Sequence, residues 1–241
     1  MILKYTRFLL CGLLLAIVGI IGTAIGLLRP FNPGNVTIMA KMVKLGTYIL
    51  GFKVITRDVE MMHEHHPGLF ISNHQHNIDI FLASHILPHR TVSLGKKSLK
   101  WIPLFGQFYW LSGNVLIDRN NKRSAHGTMD QVAVAIKEKN TSIWMMPEGT
   151  RSHGRGVLPF KKGAFFTAIN AQVDIMPICI SSLDGNLDFT KLRSGTVIIQ
   201  ALPAVSTAGL TKRDVAQLTQ DCHTMVKEQV KKLDAEIASM T

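Results

Sequence analysis

Residues Phe8 to Leu28 form an unbroken run of 21 residues without a charged side chain. As a helix such a run is about 31 Å long, enough to cross the hydrocarbon core of a bilayer. A cleavable signal peptide is the competing reading. Arg29-Pro30-Phe31-Asn32-Pro33 follows the run in place of a small-x-small cleavage site, so a retained membrane segment is expected. A second segment, Asn35 to Gly51, is partly apolar and carries Lys41 and Lys44. Its Val36, Met39, Met42 and Val43 recur at helical spacing, which suits an interfacial helix. Two placements fit: helix one spans the bilayer, or both helices form a hairpin dipping into one leaflet. Arg29, Lys41, Lys44, Lys53 and Arg57 outnumber Lys4 and Arg7, which puts the body of the chain on the cytoplasmic side. Residues 1–51 are thus read as membrane-anchoring helices and residues 52–241 as one further domain.

The charge balance narrows the partners. With 27 Lys and Arg against 16 Asp and Glu, the net charge is +11. Basicity of this size points to nucleic acid, an anionic membrane face or a phosphorylated substrate. Zinc-finger spacing, an RNP-type aromatic motif and a long basic helix are all missing from the sequence, so nucleic acid is set aside. Cys11, Cys179 and Cys222 have no framework spacing and read as reduced and structural.

After residue 51, short β-rich runs alternate with helical patterns. Strands are expected at Phe52–Thr56, Leu69–Ser72, Thr91–Leu94, Asn114–Ile117, Ser142–Met146, Ile175–Ile180 and Thr196–Ala201. Helices are expected at Ile78–Leu87, Ser124–Lys139, Gly163–Ala171 and Lys212–Ala238. Thr211-x-x-Asp214 resembles a capping box, and Val215, Leu218, Cys222, Met225 and Val226 form one stripe behind it. The alternation predicts an α/β fold with a mixed, largely parallel sheet flanked by helices.

Three stretches carry chemistry. In the first, an apolar strand runs into His74, and Asp79 follows five residues later. On one continuous helix these side chains would be about 140° apart, so they meet only if the chain turns between strand and helix. The carboxylate can then fix the imidazole tautomer and leave the other ring nitrogen as a general base. A capped helix start with surface histidines is the plainer alternative.

The second stretch, Met146-Pro147-Glu148-Gly149-Thr150-Arg151-Ser152, follows a strand. Gly149 permits a sharp turn, and Arg151 offers a planar fork of donors for two phosphate oxygens. Lys161 and Lys162 add cations before a helix, and Arg119 closes another strand. A surface turn with solvated charges would look similar, but three basic strand ends around one glycine turn favour an anion pocket. In the third stretch, Lys96, Lys97 and Lys100 precede the aromatic run Trp101 to Trp110, suited to a lipid surface, an acyl groove or core packing.

The set His74-x4-Asp79, the lysine-to-glycine run ending at Gly106, Pro147-Glu-Gly-Thr-Arg-Ser152 and Val173-Asp-Ile-Met-Pro177 resembles the glycerolipid acyltransferases. The resemblance covers nearly the whole chain, and the compact length and Asp118-Arg119 look most like the bacterial members that acylate 1-acyl-glycerol 3-phosphate. It implies that His74 is the general base, that Asp79 orients it, and that Lys96 donates to the oxyanion. It also implies that Glu148 and Arg151, with Gly149 between them, hold the glycerol phosphate, helped by Arg119 and Lys161. Fatty acyl would pass from acyl-carrier protein or coenzyme A to lysophosphatidate, making phosphatidate, without metal or cofactor, at the cytoplasmic face of a bacterial inner membrane. Two departures stand out: His76 replaces a usually small residue, and Asp174 a usual proline.

Two other classes compete. His63, His65, His66, His74 and His76 invite a metal-dependent hydrolase, but His74-Gln-His76-Asn-Ile-Asp79 has one residue too many for a dinuclear pattern. A non-enzymatic protein binding anionic lipid would explain the basicity, but not His74, Asp79 or the Gly149 turn.

Overall fold

The computed structural model describes residues 1–118 and 122–240, with only the backbone of residues 122–126. Seven strands form one sheet: β1 (Phe52–Arg57), β2 (Leu69–Ser72), β3 (Thr91–Lys96), β4 (Val115–Ile117), β5 (Ser142–Met145), β6 (Ile175–Ile180) and β7 (Gly195–Ala201). Their order is β1-β7-β6-β2-β5-β3-β4. Strands β6, β2, β5, β3 and β4 run parallel, whereas β7 is antiparallel to β6 and carries β1 with it. The sheet is therefore mixed and largely parallel, as the alternation implies.

Strand β2 is buried at every position, as is β5, because helices cover both faces. One face, with Phe70, Trp144 and Met176, packs on α1 (Ile2–Leu28), α2 (Gly34–Val43), α3 (Leu45–Leu50) and α5 (Asp79–Ala83). Between α3 and α5 lies the short α4 (Met61–Glu64). The other face, with Leu69, Ile71 and Ile143, packs on α7 (Lys122–Lys139), α8 (Gly163–Ala171) and the start of α9 (Val215–Met240). From β2 the chain moves toward β3, while from β5 it moves back across β2 to β6. Adjacent strands whose connections leave in opposite directions open a crevice at their carboxyl ends.

Several boundaries differ from the sequence reading. Asn35–Gly51 is two helices, broken at Lys44, whose carbonyl accepts the Thr47 hydroxyl at 2.8 Å. Helix α5 stops at Ala83, and its continuation tightens into i→i+3 bonds from His85 and Ile86 before Pro88. Helix α9 starts at Val215, and Asp214 just before it accepts the Thr211 N–H and hydroxyl at 2.7 and 2.9 Å, one half of a capping box. Its buried stripe runs through Val215, Leu218, Cys222, Val226 and Val230, while Met225 points outward. Sequence periodicity missed α6 (Phe105–Leu111), whose seven residues are too few to show a repeat.

Helix α1 is the one helix among the described residues long and apolar enough to cross a membrane, with mean hydropathy 2.7. It is docked along its length. Arg7 is buried and donates to the carbonyls of Phe189, Lys191 and Leu192 and to the Ser194 hydroxyl. Cys11 sits on the Gly46 carbonyl of α3. Gly19, Gly22 and Gly26 lie against Leu104, Phe108 and Leu111, where no β-carbon would fit. The opposite side exposes Leu9, Leu13, Ile17, Ile20 and Leu28. Cys11, Val18, Met39, Val43 and Leu50 belong to the same core as Phe70 and Met176, so residues 1–51 share the hydrophobic core of the rest.

Candidate active site

Strand β2 leaves the sheet after Ser72, and residues 73–78 form neither helix nor strand before α5 begins at Asp79. A chain in that state must satisfy its buried backbone groups by other means. The Glu148 carboxylate accepts the His74 N–H at 2.7 Å, and the Ser152 N–H donates to the His74 carbonyl at 2.9 Å. Asp79 Oδ2 accepts the Gln75 N–H at 2.7 Å and the His76 N–H at 3.1 Å. The same oxygen lies 2.6 Å from His74 Nδ1. Asp79 opens α5 and is 1 % exposed, so its charge faces these donors and the helix N-terminus. The five-residue spacing thus works through a turn, not a helix face. His74 Nε2 has no hydrogen-bond partner among the described residues and is the nitrogen left for chemistry.

The loop after β5 supplies the opposite wall. Glu148 is buried, and its second oxygen accepts the Leu158 N–H at 3.0 Å. Burial pushes its pKa up against the pull of the two N–H donors from His74 and Leu158. Each Glu148 oxygen is thus engaged by one backbone N–H. The sequence reading has Glu148 hold the glycerol phosphate, and these bonds give it a hold on the backbone of His74 as well. Gly149 takes φ +69°, and a β-carbon there would lie 2.6 Å from Lys161 Nζ, so the bare α-carbon leaves room for that ammonium. Lys161 is tied in turn by its N–H to the Pro147 carbonyl at 2.9 Å. Arg151 is half-buried, and its Nε is buried without a partner.

His74, Asp79, Glu148, Gly149 and Lys161 are therefore drawn into one linked group, with Arg151 on the same loop. Lys96 ends β3, two strands from β2, is exposed, and makes no hydrogen bond or ion pair with that group. Arg119 lies outside the described residues. Asn73 and Gln75, which flank His74 and are both buried, passed unnoticed in the sequence; the signal was two amides bracketing a histidine at a strand end. His76 lies on the rim, with Nε2 3.7 Å from Asp184 and its ring edge-on to His153. Among the described residues no three of His, Cys, Asp and Glu gather as metal ligands. His65 pairs with Asp174 at 3.6 Å, and His66 bonds the His89 carbonyl.

Comparison with known proteins converges on this architecture. The family model described as Acyltransferase matches residues 53–181. The 1-acyl-sn-glycerol-3-phosphate acyltransferase of Escherichia coli (strain K12) is 42% identical over 92% of this chain and 91% of its own length. That of Haemophilus influenzae is 41% identical over 98% of both chains. The human beta enzyme of the same name is 35% identical over 78% of this chain and 69% of its own. The crystal structure of the 1-acyl-sn-glycerophosphate acyltransferase from Thermotoga maritima superposes with a TM-score of 0.71, covering 96% of this chain and 98% of that one. At 20% identity this last likeness speaks for the fold.

Proposed function

The chain belongs to the acyltransferase family, and on that premise we propose that it moves a fatty acyl group from a thioester of acyl-carrier protein or coenzyme A to the 2-hydroxyl of 1-acyl-glycerol 3-phosphate, forming phosphatidate. The observation that carries this reading is the 2.6 Å contact of His74 Nδ1 with buried Asp79, which leaves Nε2 turned outward. Nε2 takes the hydroxyl proton as the substrate oxygen attacks the thioester carbonyl. The tetrahedral intermediate expels the thiolate, to which His74 returns the proton. A donor to the oxyanion is worth about 3 kcal/mol in other acyl-transfer enzymes, and Lys96 or a backbone N–H fills that role here. Arg151, whose buried Nε lacks a partner, and Lys161 over Gly149 bind the phosphate. Holding the phosphate places the hydroxyl at the base, and that positioning is itself catalytic.

The docking of α1 supports one membrane arrangement. A helix held by Arg7 at one end and by α6 at the other lies along the domain, so we place α1, α2 and α3 in one leaflet on the cytoplasmic face of a bacterial inner membrane. Exposed Trp101, Ile102, Leu104 and Trp110 enter the same lipid surface, and Lys100, 4.5 Å from the Trp101 ring centre, meets its anionic headgroups.

The test is a purified full-length enzyme in mixed micelles, supplied with lysophosphatidate and labelled acyl thioester of each carrier, with and without chelator. Phosphatidate should form at the same rate in both conditions. Failure to acylate lysophosphatidate, or loss of activity with chelator, overturns the reading.

A further inference from the structure

The ladder between β2 and β6 ends at Ser72 opposite Ile178, two residues before His74. Beyond that point two side-chain amides continue what the backbone stops doing. Asn73 donates through Nδ2 to the Ile180 carbonyl at 2.8 Å and accepts the Ile180 N–H at 2.9 Å, as a strand partner would. Gln75 donates through Nε2 to the carbonyls of Ile180 at 3.2 Å and Ser181 at 2.9 Å, and accepts the Leu183 N–H at 2.9 Å. The Gln75 backbone is spoken for as well, its N–H by Asp79 and its carbonyl by the His153 N–H at 3.3 Å. Gln75 is 6 % exposed, so its carboxamide meets protein and not solvent.

We propose that Gln75 is a positioning residue for the general base: its carboxamide bolts the peptide that carries His74 to the end of β6, so that the imidazole meets Asp79 and substrate in one orientation. A carboxamide alone among side chains of this length offers a donor to two carbonyls and an acceptor to an N–H at once. Glutamate has the same shape but would set an oxygen against the Ser181 carbonyl. The opposite wall, formed by Glu148 and the Ser152 N–H, fixes His74 from the β5 side only. Asn73 ties the residue before His74 to Ile180, so without Gln75 the peptide after His74 can pivot between that tie and the wall. A shift of about 1 Å at a catalytic group costs on the order of 100-fold in rate.

The proposal rests on His74 being the base, and the experiment separates the two. Gln75→Glu, Gln75→Met, His74→Ala and the double variant His74→Ala/Gln75→Glu are made in the full-length protein. Each is checked for monodispersity and circular dichroism in detergent, then assayed with lysophosphatidate and acyl thioester. Gln75→Glu should lower kcat about 100-fold with both KM values within about twofold, and Gln75→Met should do the same. The double variant should be no slower than His74→Ala, because Gln75 acts through that imidazole. A folded Gln75→Glu with parental kcat, or a double variant clearly slower than His74→Ala, overturns the positioning role while leaving the base intact. An active His74→Ala overturns the base itself. If Gln75→Glu does not fold, Gln75→Met decides, and if neither folds the carboxamide is scaffold and the proposal falls.

Discussion

Glu148 Oε1 accepts the backbone N–H of His74 at 2.7 Å across 74 residues of sequence, and this bond ties the two loops of the site to each other. From this bond we expect the acid to act on the histidine's peptide. Glu148→Gln keeps one acceptor oxygen and turns an amide N–H toward the other backbone N–H. Hydrogen bonds to charged groups are worth about 1.5–3 kcal/mol, so kcat should fall about 10- to 100-fold. The KM for lysophosphatidate should stay within about twofold, where a phosphate ligand would raise it. Steady-state kinetics of this variant check the assignment.

The same carboxyl gives a pH dependence of stability. Burial raises the pKa of Glu148 in the folded chain above its ordinary 4.5, so the native state holds that proton more tightly than the unfolded chain does. Its contribution to stability is then largest below the unfolded value and declines as pH rises toward the folded one. Thermal melts taken upward from pH 4.5 should show this decline in the parent and a flatter profile in Glu148→Gln. Equal slopes in the two proteins would remove Glu148 as the source.

Two histidines sit beside the site, and their surroundings separate them. His74 is bound to buried Asp79, whereas His76 is partly exposed and only 3.7 Å from the half-exposed Asp184. His74→Ala should lose several orders of magnitude in kcat, while His76→Ala keeps most of it. Equal losses in two folded variants would put the base elsewhere.

What was legible in the sequence follows from range. The His74–Asp79 contact spans one turn, so the spacing allows it once a strand is seen to run into His74, and the neighbouring motifs single it out from a capped helix start. The largely parallel sheet was legible because short β-rich runs alternate with helical patterns along residues 52–241. Glu148 could be singled out but not understood, since its partners His74 and Leu158 are chosen by the fold and not by any local pattern. Gln75 likewise bonds to Leu183, 108 residues away. The docking of the N-terminal segment was hidden for the same reason: an apolar N-terminus signals lipid, but says nothing of the carbonyls that Arg7 reaches 182 to 185 residues later.

Gly149 and Lys161 make a further testable pair. Gly149→Ala forces a left-handed backbone onto a residue with a β-carbon, at about 1–2 kcal/mol, and pushes the Lys161 ammonium from its place. The melting temperature should drop by about 2–8 °C for a chain of this size. The KM for lysophosphatidate should also rise, as it should in Arg151→Lys, which keeps the charge but loses the fork. If Gly149→Ala lowers stability alone and leaves KM unchanged, Lys161 does not face the phosphate.

The docking of α1 makes its removal a folding problem before it is a membrane problem. Deleting residues 1–50 takes Cys11, Val18, Met39, Val43 and Leu50 out of the core that holds Phe70, Trp144 and Met176. At about 2 kcal/mol for each buried side chain, the loss is about 10 kcal/mol, comparable with the whole stability of a typical domain. The truncated chain should therefore aggregate and lose activity on long-chain and short-chain lysophosphatidate alike. Arg7→Ala tests the same contact more gently. It leaves the carbonyls of Phe189, Lys191 and Leu192 and the Ser194 hydroxyl without their buried donor, a loss of about 3 kcal/mol and about 6–12 °C in melting temperature. Both are read by size-exclusion chromatography, circular dichroism and thermal melts in detergent. A monodisperse, cooperatively melting fragment beginning at residue 51, or an Arg7→Ala protein that melts with its parent, would show that α1 is an anchor only and not a part of the catalytic fold.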